Sequence, residues 1–185
     1  LKNLKLLFVS ANRLVNFPPE IGELSQLFCL EATDNKLAKL PDEFSQLTSL
    51  EDLHLSQNEL DSLPEDIGNL SNLTIVYLQN NSLSKLPEST ENWGSLARLN
   101  LSHNKLTELP ANIANWDVSF DLFLNDNDLK TLPSSIGNLD RLDKLYLANN
   151  MLMSLPTEIG EMDELIYLDL SSNELVTLPS SIGQA

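Results

Sequence analysis

Residues Leu50–Asn72 read LEDLHLSQNELDSLPEDIGNLSN, and this 23-residue stretch decides the fold. Sliding the chain by 23 residues brings back the same skeleton, LxxLxLxxNxLxxLPxxIxxLxx, eight times. With Leu50 as position 1, position 9 is Asn12, Asn35, Asn58, Asn81, Asn104, Asn127, Asn150 and Asn173. Position 15 is Pro18, Pro41, Pro64, Pro87, Pro110, Pro133, Pro156 and Pro179. A fixed period of this length means a stacked array, in which each unit buries its apolar face only against its neighbours. The units run 4–26, 27–49, 50–72, 73–95, 96–118, 119–141, 142–164 and 165–185, and they predict one elongated domain over 1–185. Leu1 falls in the column of Leu24, and no polar capping unit is visible at either end, so a segment of a longer protein is expected.

Each position has a physical reading. Positions 4 and 6 are apolar and flank one variable residue, as in Leu53-His54-Leu55, which is the alternation of a short strand. One strand per unit, always in the same direction, predicts an α/β solenoid with a parallel sheet of about eight short strands on its concave face. Short helical or 3-10 turns then lie on the convex face. The Asn at position 9 ends the strand, and its amide can satisfy backbone groups that would otherwise be buried unpaired; a structural Asn ladder is expected. The Pro at position 15 fixes φ at the opening of the turn without losing a needed donor. Asp42-Glu43, Glu65-Asp66, Glu88 and Glu158 follow it, where a helix start favours negative charge. Gly22, Gly68, Gly137, Gly160 and Gly183 read as helix exits.

This consensus resembles the leucine-rich repeat family. Twenty-three-residue units with LPxxIxxL are similar to those of intracellular Ras-associated scaffolds, of Scribble and Erbin polarity proteins and of plant Ras-group-related proteins. They are equally similar to spirochaete-type bacterial leucine-rich repeat proteins. The resemblance implies a curved horseshoe whose concave sheet binds other proteins, with a small GTPase or a phosphatase as the candidate partner.

Composition limits the alternatives. The net charge is −16, with 11 basic residues scattered singly, which argues against nucleic acid or an anionic membrane as partner. No run of 18 apolar residues is present, so no membrane insertion is expected. A single cysteine, Cys29, excludes an internal disulfide framework and favours a reducing, cytoplasmic compartment; a bacterial secreted or surface protein is the alternative. A monomer is expected. Asn69, Asn72, Asn80 and Asn100 each begin an N-x-[ST] match, a pattern that an Asn- and Ser-rich repeat generates by chance.

Function belongs to the variable strand positions, because the others are committed to the core. Position 5 runs Phe8, Glu31, His54, Tyr77, Asn100, Phe123, Tyr146, Asp169, and position 3 runs Leu6, Cys29, Asp52, Ile75, Arg98, Asp121, Lys144, Tyr167. Aromatic anchors among charged residues are the usual composition of a protein-binding hot spot. The expected site on the concave face is therefore Tyr77, Arg98, Asn100, Asp121, Phe123, Lys144, Tyr146 and Tyr167. The second and third units are acidic on that side, through Glu31, Asp34, Asp52 and Glu59.

Two stretches depart from the consensus. Thr90 replaces the usual Ile, with Trp93 and Trp116 in the Leu column nearby, and the two indoles are expected to pack on each other. Ser119 stands where Leu belongs, and Val118 or Phe120 must fill the gap, so a local kink is expected between Thr90 and Phe120.

Catalytic readings find little support. His54 and His103 lie in different columns two units apart, which does not suit a shared metal. A Cys29–His54 pair can be drawn, but an open, solvated sheet offers no oxyanion hole and no exclusion of water. Asn125-Asp126-Asn127-Asp128 lacks the Gly turn and distal Glu of a calcium loop. No catalytic, cofactor or metal residue is assigned, and the segment reads as a protein-protein interaction module, in the first place an intracellular signalling scaffold. The alternatives are a bacterial surface or effector protein that binds a host protein, and the substrate-recognition arm of a multidomain enzyme.

Overall fold

The structure, a computed structural model, describes residues 1–183. Eight three-residue strands follow the period: β1 (Leu6–Phe8), β2 (Cys29–Glu31), β3 (Asp52–His54), β4 (Ile75–Tyr77), β5 (Arg98–Asn100), β6 (Asp121–Phe123), β7 (Lys144–Tyr146) and β8 (Tyr167–Asp169). They form one parallel sheet in the order β1 to β8. Every pairing joins residues 23 apart, as in Leu53 with Val76 and Leu99 with Leu122. The strands are short because the chain must turn away at position 8. There all eight residues, Ala11, Asp34, Gln57, Asn80, His103, Asp126, Asn149 and Ser172, adopt left-handed φ values of 53–58°.

The middle residue of each strand points into the core with the Leu at positions 1, 6 and 11. Leu53, Leu60, Val76, Leu83, Leu99 and Leu106 are at most 1% exposed. On the far side the chain runs through 3-10 turns, such as Asp42–Gln46, Glu88–Asn92 and Thr157–Glu161, each entered from a Pro in extended conformation. The acidic residues fall in the first turn at Asp42, Glu43, Glu88 and Glu158. Asp66 is instead the residue before a shorter turn, Ile67–Asn69.

The Asn ladder forms as a bridge between coils. Asn104 Nδ2 donates to the carbonyls of Leu78, one unit back, and Leu101, each at 3.0 Å, while its Oδ1 accepts the Leu83 amide at 3.0 Å. The same three-way geometry repeats at Asn35, Asn58, Asn81, Asn127, Asn150 and Asn173. Asn12 is exposed, and its side chain donates only to the carbonyls of Val9 and Ser10 in its own unit.

Two local expectations are revised and a third is resolved. The glycines are not left-handed helix exits, since no glycine has positive φ. A Cβ at Gly22, Gly68, Gly137 or Gly160 would overlap the carbonyl of Glu43, Ser89, Glu158 or Ser181 in the next turn, so close stacking of the turns selects glycine. Trp93 and Trp116 are both buried, but no ring pair joins them among the described residues. Each indole N–H instead donates to a carbonyl of the preceding turn, Ile67 at 3.3 Å and Thr90 at 2.7 Å, because a buried indole must satisfy its donor. Val118, 1% exposed, fills the gap left by Ser119, and Phe120 stands 52% exposed. The strand ladder passes through this unit in full register.

Candidate functional site

Because positions 3 and 5 flank the inward residue of each strand, their side chains share the sheet's outer side, here called the strand face. Along position 5, same-column neighbours meet. Phe123 and Tyr146 stack with ring centroids 4.5 Å apart and planes 11° from parallel. His54 sets its ring edge-on to Tyr77 at 4.9 Å. Tyr146 also reaches across to Tyr167 at 4.9 Å, which gives three consecutive rings over β6, β7 and β8.

Beside the rings runs a line of charge. Asp121 is only 6% exposed and lies between two cations: Arg98 places Nε 3.0 Å and Nη2 2.9 Å from Oδ2, and Lys144 places Nζ 3.5 Å from Oδ1. Arg98 also donates to the Tyr77 hydroxyl at 3.4 Å, and this bond, with the Asp121 carboxylate, favours its charged form. The structure thus brings Tyr77, Arg98, Asp121, Phe123, Lys144, Tyr146 and Tyr167 into one continuous patch. Asn100 stands on β5 in the same patch, but its Oδ1 accepts both the amide and the hydroxyl of Ser102, at 3.0 and 2.7 Å. Asp169 does the same with Ser171, whose hydroxyl and amide hold its carboxyl below the usual range.

The burial of Asp121 is what column reading missed. Its neighbours Arg98 and Lys144 were legible at the same position 23 residues away, but the enclosure of one carboxylate by two long side chains depends on rotamers.

The Cys29–His54 pair does not assemble. Cys29 pairs in register with Asp52, and His54 aligns with Glu31 and packs on Tyr77. Burial pushes the Cys29 thiol up, with Asp52 and Glu31 adding to the effect, which opposes formation of a nucleophilic thiolate. Asp126 accepts from Asn125 and Asn149 and lies 3.5 Å from His103. No group of three His, Cys, Asp or Glu suited to a metal ion occurs among the described residues. A shallow hollow of about 760 Å³ between the turns is lined by Ser45, Gln46, Thr48, Asn69 and Asn92, and these carry no titratable side chain. No helix among the described residues is long and apolar enough to cross a membrane.

A stack of 23-residue units with a parallel strand face and an internal Asn ladder defines a repeat solenoid. The chain belongs to the leucine-rich repeat family: family models described as leucine rich repeats match residues 2–60 and residues 72–93, 95–116 and 164–185. A leucine-rich repeat protein of Leptospira interrogans is 38% identical, with a TM-score of 0.90 over 97% of this chain and 46% of that one. The ectodomain of the Arabidopsis thaliana receptor kinase GASSHO1/SCHENGEN3, solved with CASPARIAN STRIP INTEGRITY FACTOR 2, is 35% identical (TM-score 0.89, 100% of this chain, 23% of that one). The Drosophila Toll–Spatzle complex gives 28% identity and a TM-score of 0.84, over 100% of this chain and 25% of that one. The chain therefore spans less than half the length of each of these solved chains. A search of curated proteins found no match. Leucine-rich repeat proteins generally mediate protein–protein interactions, and the fold is typically non-enzymatic.

Proposed function

We propose that this chain is a recognition module that docks a partner protein on its strand face, and that it acts as a signalling scaffold in the cytoplasm without catalytic activity of its own. The observation that carries the reading is the run Phe123–Tyr146–Tyr167. Three rings adjoin over adjacent strands, the first two stacked and Tyr167 tilted 41° from Tyr146 and 44% exposed at the end of the run. Neither Phe123 nor Tyr146 is a core residue, and both stand half-buried on the side of the sheet that faces water. Large rings held rigidly in such a place suit partner contact better than stability, because an aromatic anchor costs little conformational entropy on binding. A small GTPase or a phosphatase is the first partner class to test. A second reading, a bacterial surface or effector protein using the same face on a host protein, is supported by the likeness to the Leptospira protein.

The test compares binding by the isolated chain, Phe123→Ala/Tyr146→Ala and a control, Glu65→Ala/Glu158→Ala, against a panel of GTPases and phosphatases and against host-cell surface proteins. Truncating a central aromatic costs about 2 kcal/mol or more, roughly thirtyfold in affinity. The aromatic pair should abolish micromolar binding while the melting curve stays in place. Loss of binding in the control pair with retention in the aromatic pair would place the partner on the turn side and overturn the reading.

A further inference from the structure

The strand face is divided by charge. Over β2 and β3 it carries Glu31 and Asp52, both half-buried, and neither enters an ion pair among the described residues. Over β5 and β7 it carries Arg98 and Lys144, a cationic pair in a chain of net charge −16. The two are held from beneath. The Asp121 side chain is 9% exposed, whereas those of Arg98 and Lys144 keep 41% and 42%. The carboxylate fixes both cations while leaving each side chain partly exposed. The trio carries a formal charge of +1, and the Phe123–Tyr146–Tyr167 rings run beside it from β6 and one strand past it to β8.

Resting on the docking site above, we propose that its occupant is an extended segment of a partner polypeptide with a fixed charge order. A basic side chain lies over Glu31 and Asp52, an acidic side chain sits between Arg98 and Lys144, and an apolar or aromatic side chain lies on Phe123–Tyr146–Tyr167. Strands about 4.8 Å apart put the β2–β3 boundary roughly 17 Å from β6, which an extended chain covers in about five residues. The Tyr146–Tyr167 pair, on which the apolar side chain rests, stands at the β7–β8 boundary about 7 Å further, or two residues. The segment therefore reads basic-x-x-x-x-acidic-x-apolar. The opposite order sets like charges against each other at both ends, which costs affinity. A carboxylate matches the trio's formal charge of +1, whereas a phosphate dianion leaves a net negative charge on a face of an already acidic chain.

The probe is a random dodecapeptide library displayed on phage, selected against the wild-type chain, against Lys144→Glu and against Phe123→Ala/Tyr146→Ala. Arg98→Glu would strand the buried Asp121 carboxylate, so Lys144, with the longer contact, is the position reversed; a melting curve verifies each variant. Wild-type winners should carry Asp or Glu about five residues from Lys or Arg, with an apolar residue two further on. Against Lys144→Glu the same synthetic peptides, read by fluorescence anisotropy, should bind about tenfold more weakly or worse, as truncation or reversal of a paired interface charge implies. A fresh selection on that variant should lose the acidic position and keep the basic one. Winners that need Phe123 and Tyr146 but show no acidic position and ignore Lys144→Glu would overturn the charge order and leave the docking site standing. If no winner depends on the aromatic pair, the docking site itself is overturned, and the charge order with it.

Discussion

Replacing Asn104 by Ala tests the ladder at a position where every side-chain bond is buried. Asn104 is 9% exposed and its side chain makes four bonds to backbone, the longest to the Ser102 carbonyl at 3.3 Å. Without it the Leu78 carbonyl keeps Asn81 Nδ2 at 3.0 Å, and the Leu101 carbonyl keeps Asn127 Nδ2 at 3.0 Å. The Leu83 amide has no second acceptor among the described residues, so it becomes a buried, unpaired donor. That orphan costs about 1–3 kcal/mol, and the two thinned carbonyls bring the expected loss to roughly 2–4 kcal/mol. Asn12→Ala is the internal control. Asn12 is exposed and bridges to no earlier unit, so its loss should stay within about 0.5 kcal/mol. Asn104→Asp keeps the volume but sets carboxylate oxygen against two carbonyls, and should cost at least as much as Ala. Urea unfolding monitored by tryptophan fluorescence reads all three, since Trp93 and Trp116 are buried near the altered unit. If Asn104→Ala and Asn12→Ala proved equal within error, the bridge between coils would carry no stability and the reasoning would fail.

Gly137→Ala should destabilise by about 1–3 kcal/mol through overlap with the Glu158 carbonyl, while Gly94→Ala, whose Cβ would lie 3.7 Å from the nearest atom, should be near neutral; equal thermal midpoints would refute the close-stacking account. At the left-handed position, Gln57→Gly should stabilise by about 0.5–1 kcal/mol, because relief of the backbone clash exceeds the added chain entropy, and a lowered urea midpoint would contradict it. Asp169 is held below the ordinary carboxylate range by Ser171, so its contribution to stability is present above the unfolded value and is lost as pH falls through the lowered folded value. Ser171→Ala should bring the Asp169 carboxyl back toward the ordinary range in an NMR titration, and an unchanged titration would refute the assigned cause.

The sequence by itself determined every contact between like positions of neighbouring units. A 23-residue period places residue i against i+23, so the strand register and the neighbours in the Phe123–Tyr146 and Arg98–Asp121–Lys144 lines could be read from columns. The unbroken Asn column was legible as a ladder too, although its bonds join unlike positions 21 and 26 residues apart. Tertiary structure alone decided the other contacts between unlike positions. Tyr146 reaching Tyr167, Arg98 reaching the Tyr77 hydroxyl and each indole N–H reaching the carbonyl of an earlier turn depend on side-chain rotamers and on how tightly the coils nest. Glycine at position 19 belongs to the same group: its column was visible, but its cause was the approach of a neighbouring carbonyl, a distance that no spacing along the chain encodes.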